Sequence, residues 1–261
     1  MAFLDENRLL EVRGLSKRFG GLAAVQNISF DLKKNEILAL IGPNGAGKTT
    51  TFNMIAGSIA ATSGSVKLAG EELIGKKPYQ IASCGLARTF QITAVFFGLS
   101  VFENMVIASH RLQKATMLDS ILYSKKYRQE EREAREKANA ILRFVGLEEM
   151  ANVLSGNLAY GQQRLLEVAI ALATEPVMLL LDEPAAGLNP EETVSLMRLI
   201  GKIRDQGITV LLVEHNMRLV MEISDRILVL DHGEMIAEGS PDEISMNPQV
   251  IEAYLGKGVE E

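Results

Sequence analysis

Residues 36–49 read Glu36-Ile37-Leu38-Ala39-Leu40-Ile41-Gly42-Pro43-Asn44-Gly45-Ala46-Gly47-Lys48-Thr49, an apolar run that breaks into glycines and ends on a lysine and a threonine. The near-continuous run Glu36–Ile41 predicts a strand buried on both faces. Gly42–Thr49 fits the phosphate-cradling P-loop pattern G-x-x-x-x-G-K-[ST]. Glycines there let backbone N–H groups converge on phosphate oxygens, and a helix from about Lys48 to Ala56 turns its positive end to the same anion. Lys48 adds a point charge at the β and γ phosphates, and the Thr49 hydroxyl suits Mg²⁺. A plain glycine turn is the bland alternative. The strand before it and the helix after it, both where the motif demands them, favour a nucleotide site.

Further along, in Val177-Met178-Leu179-Leu180-Leu181-Asp182-Glu183, a second buried strand, Val177–Leu181, delivers Asp182 to its carboxyl end with Glu183 beside it, where ligands of an open α/β sheet collect. Asp182 would hold Mg²⁺ and Glu183 would activate a water. Ile208–Val213 is a third such run. Each of the two is preceded by a helical pattern, which predicts a parallel sheet with crossover helices. Leu10–Val12 and Gln26–Leu32 instead alternate and flank the turn-rich Phe19-Gly20-Gly21, so they read as antiparallel strands. From about Gln91 to Gly156 the pattern is helical, an inserted lobe. Within it Ser124–Lys137 is densely charged with mixed signs, and Glu131/Arg135 and Glu133/Lys137 stand at i,i+4, which predicts a solvated helix. Near the end, Arg226–Leu230 and Glu234–Glu238 around Asp231-His232-Gly233 read as a hairpin. Ser240-Pro241-Asp242-Glu243 then starts a capped helix.

Composition narrows the rest. The chain has 261 residues, 47% hydrophobic and 23% charged, an ordinary globular balance,. Its formal net charge of −6 provides no basic field to recruit nucleic acid or an anionic membrane. Cys84 is the single cysteine, so no internal disulfide is possible and nothing suggests an oxidising compartment. The start, Met1–Leu10, does not have the form of a signal peptide, and charge interrupts every apolar stretch before it could span a membrane. A soluble, cytoplasmic protein is expected.

About twenty residues before Asp182 lies Leu158-Ala159-Tyr160-Gly161-Gln162-Gln163. Together with the P-loop and the Asp-Glu strand, this stretch resembles the signature loop of the ABC ATPases, and the resemblance covers essentially the whole chain. It implies a P-loop NTPase of α/β class, with a parallel core sheet, an N-terminal antiparallel β subdomain and an inserted α-helical subdomain. On that pattern the chain is one domain, 1–261, with the helical subdomain at about 91–160 and a C-terminal hairpin and helix at about 226–261. The resemblance further implies ATP hydrolysis with Mg²⁺. Gly42, Pro43, Asn44, Gly45, Ala46, Gly47, Lys48, Thr49 and Thr50 would hold the nucleotide. Leu158, Ala159, Tyr160, Gly161 and Gln162 would cap the γ-phosphate held by a second subunit. Gln91, in Arg88-Thr89-Phe90-Gln91, is similar to the glutamine that touches Mg²⁺ and the attacking water, and Thr49, Gln91 and Asp182 would form the metal set. His215, in Val213-Glu214-His215-Asn216, is similar to the catalytic switch histidine at the end of the last buried strand. Phe19 resembles the aromatic that stacks on adenine.

Two positions depart from the family's commonest pattern. Ala159 and Tyr160 replace the serine and glycine that usually follow the signature leucine, so capping would rest on backbone N–H groups and the helix N-terminus. Asn189, in Gly187-Leu188-Asn189-Pro190, stands where many relatives have aspartate, in a loop expected to cross the dimer interface. These segments, with the charged helix and the terminal Val250-Ile251-Glu252-Ala253-Tyr254-Leu255-Gly256, are most similar to ATP-binding subunits of branched-chain amino acid importers, the LivG type. Relatives that power urea uptake or lipopolysaccharide extraction are the rivals, and a non-transport ABC protein is a further alternative. The implied partners are membrane permease subunits, a second ABC ATPase subunit as homodimer or heterodimer, and a periplasmic or extracellular solute-binding protein reached through the permease. No nucleic acid is expected. The place of work would be peripheral, on the inner face of the cell membrane. Part of Ala94–Phe102, apolar and adjacent to Gln91, is expected to line the groove for a permease helix, with ordinary packing of the lobe as the bland alternative.

Overall fold

A computed structural model describes residues 7–89, 95–109 and 124–255. The chain divides into two units, the first made of Met1–Arg88, Val177–Ala186 and Thr193–Glu261, the second of Thr89–Pro176 and Gly187–Glu192.

Two sheets build the first unit. β1 (Arg8–Phe19), β2 (Leu22–Lys33), β4 (Ser63–Leu68) and β5 (Glu71–Glu72) form an antiparallel sheet in the order β2-β1-β4-β5. Gly20-Gly21 closes its first hairpin, with Phe19 opposite Leu22, as a two-residue turn requires. The second sheet contains β3 (Ile37–Ile41), β6 (Leu86–Arg88), β7 (Met178–Asp182), β8 (Thr209–Val213), β9 (Arg226–Asp231) and β10 (Glu234–Gly239), in the order β10-β9-β3-β8-β7-β6. All its neighbours run parallel except the β9–β10 hairpin.

Every residue of β3, β7 and β8 is buried, and the packing explains why these runs do not alternate. Leu38 and Leu40 join Phe52, Met54 and Ile55 of the P-loop helix (Lys48–Ile55) on one face. Ala39 and Ile41 join Val220, Ile244 and Val250 from C-terminal helices on the other. Each fully buried large side chain contributes about 1.5–3 kcal/mol. The sheet is thus covered twice, and apolar residues are needed at every position.

Sequence expectation and structure agree on these strands and differ at their ends. Glu36 lies just outside β3, and its carboxylate accepts from Lys33 N–H at 2.7 Å and pairs with Arg226 at 2.8 Å. β7 starts one residue after Val177 and takes in Asp182. The short strands β4, β5 and β6 were not expected from sequence. The C-terminal helix Pro241–Ser245 begins as predicted, with Ser240 N–H donating to Glu243 Oε2 at 2.7 Å.

In the second unit the helices Val101–Ser109, Lys125–Val145 and Tyr160–Leu172 pack on one another. The charged segment is a helix as expected, capped by Ser124, whose Oγ accepts from Tyr127 N–H at 3.1 Å. It buries a stripe of Ala134, Ala138, Leu142 and Val145, the i,i+4 face of a surface helix. Arg135 pairs with Glu131 at 2.9 Å. The expected Glu133–Lys137 pair does not form: Lys137 reaches Glu175, and Glu133 accepts from Gln129 at 3.0 Å. Among the described residues no helix is long and apolar enough to cross a membrane.

Candidate functional site

Three strands end at one edge of the six-stranded sheet. Leu40 of β3 lies opposite Val213 of β8, and Asp182 of β7 lies opposite the same Val213. The P-loop, the Asp182-Glu183 pair and Glu214-His215 therefore leave the sheet side by side, at its carboxyl edge. A cavity of about 240 Å³ opens there, lined by residues 44–50, Ala24, Glu183 and His215.

The P-loop is built by backbone geometry. Gly47 has φ +98, and a Cβ there would lie 2.6 Å from the carbonyl oxygen of Ala24, so no other residue fits. The helix that follows has no acidic residue in its first turn, leaving its positive end available to an anion. Lys48 is buried, and its Nζ donates to the carbonyls of Gly42 at 2.7 Å and Pro43 at 2.9 Å. Burial pushes its pKa below the ordinary lysine value, and the nearby Glu183 charge opposes that shift. An arriving phosphate would add compensating negative charge to a cation that is short of it.

Glu183 follows the strand end at φ 47, a conformation that costs a non-glycine residue energy and collects at functional positions. Its N–H donates to Val213 O at 2.8 Å. Its Oε1 lies 3.1 Å from His215 Nε2, with both side chains partly exposed. One buried carboxylate, which sequence reasoning did not single out, holds this arrangement. Glu214 Oε1 accepts from Ala185 N–H at 2.7 Å, and Oε2 accepts from the N–H groups of His215 at 2.9 Å and Asn216 at 3.2 Å. Asn216 in turn caps the helix Met217–Ile223. The loops after β7 and β8 are stitched together through Glu214.

Asp182 is fully buried at its side chain and pairs through Oδ2 with Arg88 Nη2 at 3.0 Å. Burial lifts its pKa, and Arg88 counters the lift. Arg88 also donates to Asn53 Oδ1 at 2.6 Å and lies over the Phe52 ring, its guanidinium carbon 5.0 Å from the centroid. Asp182 Oδ1 has no hydrogen-bond partner. A carboxylate oxygen left free on Asp182, which does not itself line the cavity, and Thr49, which does, are donors of the kind a small hard cation takes together with phosphate oxygens and water,. No cluster of three or more His, Cys, Asp or Glu that could hold a metal occurs among the described residues.

Phe19 stands at the end of β1, 47% exposed, with Lys17 Nζ 4.8 Å from its ring centroid. It is exposed as a stacking surface must be, but it is not in the cavity wall. Gln91 lies outside the described residues.

The signature residues belong to the second unit. Ala159 precedes the helix Tyr160–Leu172, and its N–H donates to Gln162 Oε1 at 3.1 Å. Leu158 is buried, and its carbonyl accepts from Gln163 Nε2 at 3.0 Å. Tyr160 is half exposed, and its hydroxyl accepts from Arg164 Nη2 at 2.6 Å, while Arg164 Nη1 pairs with the buried Glu167 at 2.9 Å. Gly161 leaves room for Glu192, whose Oε1 would be 2.4 Å from a Cβ there. Asn189 Oδ1 accepts from Glu192 N–H at 2.9 Å, and Glu192 Oε2 accepts from Asn189 N–H at 2.9 Å. The amide at this departure from the usual aspartate thus caps the helix Pro190–Asp205.

In the expected permease groove, Ala94 lies outside the described residues, Val95 and Val101 are buried, and Phe96 and Phe97 are 55% and 46% exposed. The buried Asn104 amide holds this segment, accepting from Phe96 N–H at 2.8 Å and donating to Ser155 Oγ at 2.9 Å.

Comparison with known proteins agrees with this geometry. A family model described as ABC transporter matches residues 25–186, and one described as branched-chain amino acid ATP-binding cassette transporter matches residues 234–260. The chain is 47% identical over 250 residues to the high-affinity branched-chain amino acid transport ATP-binding protein BraF of Pseudomonas aeruginosa, covering 95% of this chain and 98% of that one. It is 48% identical to the corresponding ATP-binding protein LivG of Salmonella typhimurium, with the same coverage. Among solved structures, a nucleotide-free ATP-binding cassette from an ABC transporter superposes with a TM-score of 0.83 at 31% identity, covering 96% of this chain and all of that one. The same fold appears in a cassette solved in its ADP conformation, again at TM-score 0.83 and 31% identity. The chain belongs to the ABC transporter family, among its ATP-hydrolysing cassette subunits.

Proposed function

We propose that this chain is the motor subunit of a branched-chain amino acid importer, working at the cytoplasmic face of the membrane beneath separate permease subunits. The observation that carries the substrate class is the close, nearly full-length similarity to BraF and LivG together with the family match confined to 234–260. ATP would lie with its phosphates in the cavity lined by residues 44–50 and its adenine against Phe19.

Thr49, Asp182 and Gln91 are the proposed Mg²⁺ ligands, and the ion would supply charge neutralisation at the phosphates. The remaining chemistry belongs to side chains. Lys48 leaves the carbonyls of Gly42 and Pro43 to meet the β and γ phosphates. Glu183 takes a proton from the attacking water as the new P–O bond forms and the bond to ADP breaks. His215 orients Glu183 through the 3.1 Å contact between them.

Residues 158–162 and the loop of Asn189 would serve the partner cassette, capping its γ-phosphate so that ATP closes a head-to-tail dimer and hydrolysis reopens it. That partner is a second cassette, and importers of this type favour a heterodimer. The helical subdomain, about 91–160, carries the permease-facing surface, with Phe96 and Phe97 as its apolar contacts. A solute-binding protein outside the membrane acts only through the permease, and nucleic acid has no part.

The test is uptake of labelled leucine in cells lacking the gene, restored with the wild-type chain. Uptake that valine and isoleucine compete away and urea does not is the expected result. Restored uptake competed by urea alone would reassign the substrate.

A further inference from the structure

Nothing in the proposed chemistry uses the C-terminal hairpin or the helix after it, yet both reach the P-loop from behind. The hairpin turn Asp231-His232-Gly233 ends against it. Gly233 N–H donates to Ala46 O at 3.1 Å, and Gly233 O accepts from Gln26 N–H at 2.7 Å. Gln26 Nε2 donates to His232 O at 3.2 Å. A Cβ on Gly47 would lie 3.5 Å from the Gly233 Cα, and a Cβ on Gly233, where φ is +82, would lie 2.9 Å from Ala24 O. Backbone from β2, the P-loop and the hairpin tip meets here at close range.

The second contact is at the other end of the loop. The helix Pro248–Leu255 buries Val250 in the cluster that contains Ile41, and the Tyr254 hydroxyl faces the Gly42 N–H. The carbonyl of that same Gly42 holds Lys48 Nζ. Both contacts come from one C-terminal stretch, and Tyr254 falls in the segment matched by the branched-chain family model.

We propose that Gly233 and Tyr254 are positioning residues for nucleotide binding: the C-terminal hairpin and helix brace the P-loop at Ala46–Gly47 and at Gly42, and so fix the direction of its phosphate-facing N–H groups. A cradle of backbone donors binds well only when pre-set, because each ångström of slack must be removed by the ligand. The phosphates of bound ATP and of the transition state sit in the same cradle, so loosening it weakens both alike and appears in KM rather than kcat. The inference rests on the reading that ATP binds at this P-loop.

The experiment compares the wild-type full-length chain, Gly233→Ala and Tyr254→Phe for ATP dissociation constant, KM, kcat and melting temperature. Wild-type binding tests the underlying reading separately. Gly233→Ala sets a methyl against Ala24 at a strained φ, and it should raise Kd and KM about tenfold. Tyr254→Phe keeps the ring and removes the hydroxyl that faces Gly42, and it should raise both about threefold. In both variants kcat stays within about twofold. Wild-type Kd and KM in Tyr254→Phe would overturn the brace, whether or not Gly233→Ala folds. So would losses confined to melting temperature and kcat.

Discussion

At the residue scale, the proposed chemistry centres on the pair formed by Glu183 and His215. Glu183 is held in a costly backbone conformation by its own N–H bond to β8, and His215 is its polar neighbour at 3.1 Å. Removing the ring leaves the carboxylate in place but free to turn. His215→Ala should therefore lower ATP turnover by roughly 10²-fold with ATP affinity changed only a few-fold. Turnover within twofold of wild type, measured by phosphate release at saturating ATP, would remove His215 from the mechanism. Asp182 and Glu183 were legible in the sequence, because a run of apolar residues ending in two carboxylates has few other uses beside a P-loop. Glu214 and Arg88 were not. Glu214 works by accepting from Ala185, a residue far back in the chain, and Arg88 by meeting Asn53 and Asp182. Neither spacing has a local pattern.

At the scale of elements, the site exists because β3, β7 and β8 end together, and one carboxylate ties the loops after two of them, β7 and β8. Glu214 accepts three backbone N–H groups from the loops after β7 and β8. Glu214→Ala strands those donors in a buried place, and it should lower stability by about 2–4 kcal/mol. Urea unfolding followed by circular dichroism checks this, and an unchanged midpoint would mean water substitutes for the carboxylate. The three central strands could be read from sequence since burial on both faces makes them wholly apolar. β6 could not: three residues, Leu86–Arg88, carry no periodicity. The charged helix was readable from its composition. Its partners were not, because Lys137 chooses Glu175 by tertiary proximity over Glu133 by spacing.

At the scale of the whole molecule, the chain carries two kinds of site in two units. The P-loop, Asp182, Glu183 and His215 lie in one unit, and the signature residues with Asn189 lie in the other. On the proposed mechanism the signature set of one subunit completes the nucleotide site of another, so hydrolysis belongs to an assembly while the base belongs to a single chain. The family was legible because its motifs are backbone devices with fixed spacing. The substrate class was legible only through resemblance, since no residue described in this chain is proposed to touch the transported solute. The central claim is that ATP is hydrolysed in this cavity with Glu183 as the base, and ATP turnover by Glu183→Gln tests it most directly. The account predicts turnover reduced by roughly 10²–10⁴-fold while ATP still binds. Turnover at the wild-type rate would contradict it.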